Sequence, residues 1–75
     1  MSPIQMTRAE KETETAAERL TSQIESARAA VAVRSTSDLD ELEACADRLE
    51  RAARDLAVAL RELAHERHVA ADAAE

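Results

Sequence analysis

Leucines and alanines alternate at steps of three and four residues through the second half of the chain, and this spacing constrains the fold most. Two sets of positions recur every seven residues: Leu39, Ala46, Ala53 and Leu60 at the a positions, and Leu42, Leu49, Leu56 and Leu63 at the d positions. A heptad pattern of this kind is typical of an α-helix that packs along one stripe against another helix. The second half therefore predicts one long helix with an apolar stripe.

The ends of this second helix are also marked in the sequence. Ser37 is a favourable N-cap, and Asp38, Asp40 and Glu41 place negative charge at the positive end of the helix dipole. The apolar pattern decays after Leu63. We expect the helix to run from about residue 38 to about residue 71, followed by a fraying tail over 72–75.

The first half carries a weaker pattern of the same type. The three- and four-residue steps are repeated at Thr13, Ala17, Leu20, Ile24, Ala27 and Val31. Two helix starts compete, because Ser2 with Pro3 resembles an N-cap before a first-turn proline, while Thr7 with Glu10 forms a second capping box. We favour the earlier start, which predicts a helix over about residues 3–33.

A polar link over residues 34–37 separates the two helices. Its serines and threonine have side chains that compete with helical hydrogen bonds, and a link this short makes its flanking helices antiparallel neighbours. The chain is then a single domain, 1–75, in which apolar residues face each other in the pairs Val31–Leu39, Ile24–Leu49, Ala17–Leu56 and Ile4–Val69. One continuous helix through the link is the structural alternative.

Small residues beside the second stripe make it wider than a two-stranded coiled coil requires. The g positions hold Cys45, Ala52 and Ala59, and two e positions hold Ala57 and Ala64. Charged residues are usual at these positions. The fold class predicted is therefore an all-α, coiled-coil-like hairpin that dimerises into a four-helix bundle, or that clasps a partner's helix. The predicted interface residues are Leu20, Ile24, Val31, Leu39, Leu42, Leu49, Ala53, Leu56, Leu60 and Leu63.

Composition indicates why a partner is needed. The chain has no Phe, Tyr or Trp, and 18 of its hydrophobic residues are alanine, so little surface is buried per residue. A net charge of −6 disfavours nucleic acid and anionic membranes as partners. We expect no membrane span and no secretory signal, and a lone cysteine fits a reducing cytoplasm.

Residues capable of chemistry are few. Glu62 and His65 form a Glu-x-x-His motif, as in di-iron helical bundles, but the heptad places both outside the stripe. Cys45 is expected to behave as a small buried hydrophobe. No arrangement of nucleophile and base can be assembled, so we expect no enzyme activity, no cofactor and no metal.

These observations predict a small protein–protein interaction module that acts as a homodimer through its Leu/Ala stripe. The alternative is a small regulator, an inhibitor or escort, that completes its core against a specific protein. A metal-binding bundle using Glu62 and His65 is a remote third hypothesis.

Overall fold

The chain folds into two long helices that pack against each other. The structure is a computed structural model, and it describes residues 5–32 and 39–73. Helix α1 spans Arg8–Ala32 and helix α2 spans Leu39–Ala73, and the described residues contain no strand. The predicted all-α class and the packing of two helices are confirmed. The link over 34–37 and the predicted cap at Ser37 lie outside the described residues.

Helix α1 begins later than the start that we favoured. Residues 5–7 are described and are not helical. The backbone N–H of Thr7 donates to Oε1 of Glu10 at 2.9 Å, and the N–H of Glu10 donates to Oγ1 of Thr7 at 3.2 Å. Each residue thus satisfies a backbone donor that the first helical turn leaves free. The helix therefore begins at Arg8 and not near residue 3, because this reciprocal capping box makes Thr7 the N-cap.

The other helix ends adjoin residues outside the described ranges. Helix α1 ends at Ala32, and α2 begins at Leu39 and continues to Ala73. In the last described turn of α2, the carboxylate of Asp72 lies 3.4 Å from the imidazole of His68. Helix α2 has 35 residues against 25 in α1, so the end of α2 projects beyond α1.

The seam between the helices is formed by small side chains. Its buried members are Ala16 from α1 and Cys45, Ala52 and Ala59 from α2. The side chains of Thr13 and Leu20 are half-buried on either side of Ala16. The Thr13 hydroxyl lies 2.8 Å from the carbonyl oxygen of Ala9 and 3.3 Å from that of Ala59 in the other helix. This approach to the opposite backbone is possible because Ala59 carries only a methyl group.

The inward face of α1 is rotated by one residue from the predicted stripe. Ala16, Gln23 and Ala30 turn toward α2, whereas Ile24 and Val31 are exposed. The positions Thr13, Leu20 and Ala27 are common to the predicted and the observed seam. The rotation follows from size, because alanines at the seam let the two helices approach more closely than Ile and Val would allow.

The antiparallel register is defined by contacts between α1 and α2. Thr13 lies beside Ala59, and Glu10 pairs with Arg67 at 3.6 Å. Ala17 is therefore level with residues 55–60 of α2, a range that includes its predicted neighbour Leu56. The predicted pair Ile4–Val69 cannot be placed, because Ile4 lies outside the described residues. The hairpin measures 60 × 27 × 13 Å between Cα atoms, so it is one helix layer thick.

Candidate interaction surface

A single layer of two helices has two broad faces, and the sequence makes them different. On one side of the seam lie the residues that we call the apolar face: Ala17, Ile24, Val31, Leu39, Leu42, Ala46, Ala53, Ala57, Leu60 and Ala64. On the other side lies the polar face, formed by Arg8, Lys11, Glu12, Thr15, Arg19, Ser22, Arg48, Arg51, Asp55, Val58 and Glu62. The helical period produces this division, because the residues that precede and follow each seam residue point to opposite faces of the hairpin.

The apolar face exposes large side chains that the hairpin does not cover. Val31 is 76% exposed, Leu39 63% and Leu60 49%, and Ile24 and Leu42 are exposed to a similar degree as Leu60. Isolated apolar residues are normal on a protein surface, whereas a continuous patch of them marks an interaction site. These five side chains share one face and are separated mainly by alanines. They form such a patch.

A shallow hollow of about 200 Å³ lies within the apolar face near the loop end, where Ala32 and Leu39 stand. Its walls are Val31, Leu42 and Leu49, and alanines of both helices make up most of the rest. Cys45 also lines it and is only 5% exposed. The hollow exists because small side chains stand beside large ones, and it could accept an apolar side chain from a partner.

An ion pair bounds the apolar face at the end of the hairpin opposite the loop, which we call the open end. The guanidinium Nη2 of Arg67 lies 3.6 Å from Oε2 of Glu10. Hydrogen bonds from the backbone and side chain of Thr7 lower the pKa of the Glu10 carboxyl, and the positive charge of Arg67 lowers it further. Glu10 is therefore held in its charged form at the end of an otherwise apolar surface.

The polar face carries charges of both signs around two shallow grooves. Arg8 pairs with Glu12 at 3.0 Å, and Arg48 pairs with Glu41 at 2.9 Å, which raises the pKa of Arg48. Arg19, Arg51 and Asp55 line the same grooves, which measure about 480 and 270 Å³. Among the described residues, the Oε1 atom of Gln23 is buried there without a hydrogen-bond partner. Exposed ion pairs such as Arg8–Glu12 and Arg48–Glu41 stabilise a fold little and are typical of a surface that stays hydrated.

The structure divides the ten predicted interface residues into two groups. Those half-buried between the helices are Leu20, Leu49, Leu56 and Leu63. Those exposed on the apolar face are Ile24, Val31, Leu39, Leu42, Ala53 and Leu60. Only the second group is exposed to another chain.

Sequence reasoning assigned the wrong neighbour to one set of small residues. Cys45, Ala52 and Ala59 were expected to admit a further helix, but α1 of the same chain packs against them. Ala16, which is also buried, was not among the predicted seam residues. The sequence signal for its role is a spacing of seven residues through Ala9, Ala16, Gln23 and Ala30, in which three of the four positions are alanine.

The candidate metal ligands Glu62 and His65 belong to no larger group of ligands among the described residues. Glu62 lies on the polar face near Glu12 and Glu66, and His65 is exposed. Within residues 5–32 and 39–73, no group of three or more His, Cys, Asp or Glu side chains is arranged to hold a metal ion. Nor is either described helix long and apolar enough to cross a lipid bilayer.

Comparison of the chain with known protein families, with curated proteins and with solved structures found no match.

Proposed function

We propose that this protein is a small non-catalytic interaction module that binds another protein through its apolar face, with a second copy of itself as the main partner. Two hairpins joined at this face make a four-helix bundle. The observation that carries the proposal is the set of large side chains left exposed there: Ile24, Val31, Leu39, Leu42 and Leu60. Fully burying one such side chain contributes about 1.5–3 kcal/mol.

The small thickness of the hairpin supports a second hairpin as its partner. Stable domains are built from at least two packed layers around one core, whereas this hairpin is a single layer 13 Å deep. The residues buried within it are Ala16, Cys45, Ala52 and Ala59, which are too small to form a substantial core. A second hairpin supplies a second layer of the same length and width.

Symmetric dimers are the commonest oligomers, and a twofold dimer requires one self-complementary patch. The apolar face meets this requirement because it contains both large residues, such as Leu60, and small ones, such as Ala53. We place the module in the cytoplasm, where the buried thiol of Cys45 stays reduced.

The mass of the purified chain in solution, measured by light scattering across a range of concentrations, tests this proposal. Circular dichroism on the same samples reports the helix content. A helical species of twice the chain mass is the expected result. A helical monomer that persists at the highest concentration would contradict self-association.

The second candidate function is a regulator that completes its core against a different protein. The small size of the buried residues favours it, because a hairpin with so thin a core can fold fully only when bound. This alternative predicts a poorly helical monomer in the same experiment. The apolar face would still be the binding surface, with a helix of the target in place of the second hairpin.

A further inference from the structure

Two contacts between the helices define which residues are near each other across the apolar face. Glu10 lies beside Arg67 and Thr13 lies beside Ala59, and because these contacts differ by five residues in register, each residue of α1 is level with a short range of residues in α2. Moving by seven residues along both helices returns to the same face and keeps the relative height of the two residues. Within that range, three pairs of neighbours cross the face, and we call them levels: Ala17 with Leu60, Ile24 with Ala53, and Val31 with Ala46.

Each of these three levels combines one large and one small side chain. Leu60, Ile24 and Val31 project from the apolar face, while alanine stands beside them in the neighbouring helix. The large residue changes helix between the first level and the second, from α2 to α1. The apolar face is therefore a surface of projections and depressions with a definite order.

We infer that the second copy docks crosswise, with α1 of each chain over α2 of its partner and both loop ends at the same end of the bundle. This inference rests on the proposed self-association and adds the arrangement of the two copies. The twofold axis then runs parallel to the helices. The other twofold arrangement, the reversed one, lays α1 on the partner's α1 and places the loop ends at opposite ends.

Side-chain size favours the crosswise arrangement. It places Ile24 over the partner's Ala53, and Leu60 over the partner's Ala17. At these three levels, each large residue then meets an alanine, as a knob meets a hole. Because the axis preserves height, this fit recurs at all three levels without any change of register.

The charges at the open end also favour the crosswise arrangement. A crosswise dimer puts Glu10 over the partner's Arg67, so the two ion pairs form one cluster of alternating charge. A reversed dimer that overlaps along its whole length lays Glu10 and Arg67 over the loop end of the partner, where Val31, Leu39 and Leu42 are exposed. Charges covered by apolar groups lose their hydration without compensation, which is costly.

Charges along the rims of the apolar face support a second copy as the occupant. Glu14 and Glu18 border α1 near the open end, where Arg54 and Arg61 border α2. Near the loop end the signs are exchanged, with Arg28 on α1 and an acidic rim on α2 formed by Glu43, Asp47 and Glu50. Stacking α1 on the partner's α2 brings opposite charges together at both ends.

Several rim charges are left without an ion pair by the other residues that the structure describes. In the described ranges, none of Glu14, Arg28, Asp47, Arg54 and Arg61 forms an ion pair with another described residue. Glu25 stands over the partner's Glu50, with Arg28 one turn away on the same helix. The reversed dimer also opposes unlike rim charges, so side-chain size and the terminal ion pair determine the direction.

The exposed surface is sufficient for such an interface. The chain exposes 6329 Å², whereas a compact monomer of its mass exposes about 4500 Å². A standard stable interface buries about 800 Å² on each partner. The excess is therefore large enough to provide one interface of this size.

Disulfide trapping between two single-cysteine variants tests the arrangement. Ile24→Cys and Ala53→Cys are each made in a Cys45→Ala background and checked for helix content and dimeric mass. Mild oxidation of the mixed variants is expected to give a covalent dimer that neither variant gives alone. In the reversed arrangement these two positions lie on diagonal helices, too far apart for a disulfide.

Contrary outcomes separate this inference from the proposed function. Covalent dimers of Ile24→Cys alone, or of Ile24→Cys mixed with Ala17→Cys, would show α1 against α1 and overturn the crosswise arrangement while leaving the dimer intact. A monomeric mass for the unmodified chain would overturn both proposals.

A distance measurement provides a second test that needs no disulfide. Spin labels at Met6→Cys in the Cys45→Ala background lie at the same end of a crosswise dimer, separated by at most about 30 Å because each helix is 10–12 Å wide. In the reversed dimer they lie at opposite ends of a particle 60 Å long. A distance near that length would overturn the inference.

Discussion

Val58 and Leu60 are almost equally exposed, at 47% and 49%, yet they stand on opposite faces of the hairpin. The helical neighbours of Val58 are charged: Arg54, Asp55, Arg61 and Glu62. Those of Leu60 are all apolar: Leu56, Ala57, Leu63 and Ala64. The comparison shows that exposure alone does not identify a binding residue. The surroundings of the side chain do, because only a continuous apolar patch gains from being covered.

Replacing Leu60 by Asp is the most severe way to test this difference between the faces. In a symmetric dimer each chain brings one carboxylate to the centre of the interface, so two carboxylates must lose their hydration. We expect the Kd of the dimer to rise by at least about 100-fold. Sedimentation or light scattering over a dilution series measures it.

Val58→Asp is the matched control on the polar face. It adds the same charge to the same helix, and we expect the dimer Kd to change by less than about threefold because the site stays in water. Equal weakening by the two variants would show that the two faces do not differ in binding.

Two adjacent alanines sharpen the comparison between the seam and the apolar face. Ala52 is buried against α1, whereas Ala53 is exposed. In the monomeric Leu60→Asp background, Ala52→Leu is expected to lower the free energy of unfolding by about 1–3 kcal/mol through overpacking. Ala53→Leu is expected to change it by less than about 0.5 kcal/mol. Urea unfolding followed by circular dichroism measures the free energy of unfolding of both variants. A larger loss for Ala53→Leu than for Ala52→Leu would contradict the assignment of Ala52 to the seam.

Removing the N-cap of α1 has a smaller expected effect, confined to the open end. Thr7→Ala deletes the hydroxyl that accepts the hydrogen bond from Glu10, and we expect a loss of about 1 kcal/mol of stability. The main cause of the lowered pKa of Glu10 is the backbone N–H of residue 7, which the variant keeps, and the Thr7 hydroxyl is the second cause, so that pKa should rise only part of the way toward its ordinary value. NMR titration of the Glu10 side chain measures the pKa. An unchanged value would show that the Thr7 hydroxyl does not contribute to the lowered pKa.

Acid should produce the smallest change. A lowered pKa means that Glu10 stabilises the fold above its ordinary value of 4.5, and that this contribution is lost as the pH falls through the lowered pKa. We expect the melting temperature of the unmodified chain to fall below pH 4.5 slightly more steeply than that of Glu10→Gln. Parallel slopes for the two chains would show that the capping carboxylate makes no contribution.

Much of the fold follows from local signals. The seven-residue recurrence of Leu42, Leu49, Leu56 and Leu63 predicts α2, which the structure describes as one helix over Leu39–Ala73. The start of α1 was also visible as the pair Thr7 and Glu10, but the earlier start at Ser2 and Pro3 was favoured. Choosing between two local caps depends on whether the preceding segment packs against anything, which local sequence does not reveal.

The rotation of α1 was not predictable from hydrophobicity. Ile24 and Val31 are the most apolar residues of that helix, so a pattern based on hydrophobicity places them inside. The structure instead buries Ala16 and exposes both. Close approach of the two backbones requires small residues at the seam, and this preference competes with the burial of large ones.

The sequence by itself determined that the chain forms two helices and that each carries an apolar stripe, because helix formation and heptad spacing are local properties. Only the tertiary structure decided which part of each stripe lies inside. The small residues Ala16, Ala52 and Ala59 are used to join the two helices, and Ile24, Val31 and Leu60 are left outside. That division depends on how closely two particular backbones can pack, which is a property of the pair of helices and not of either one.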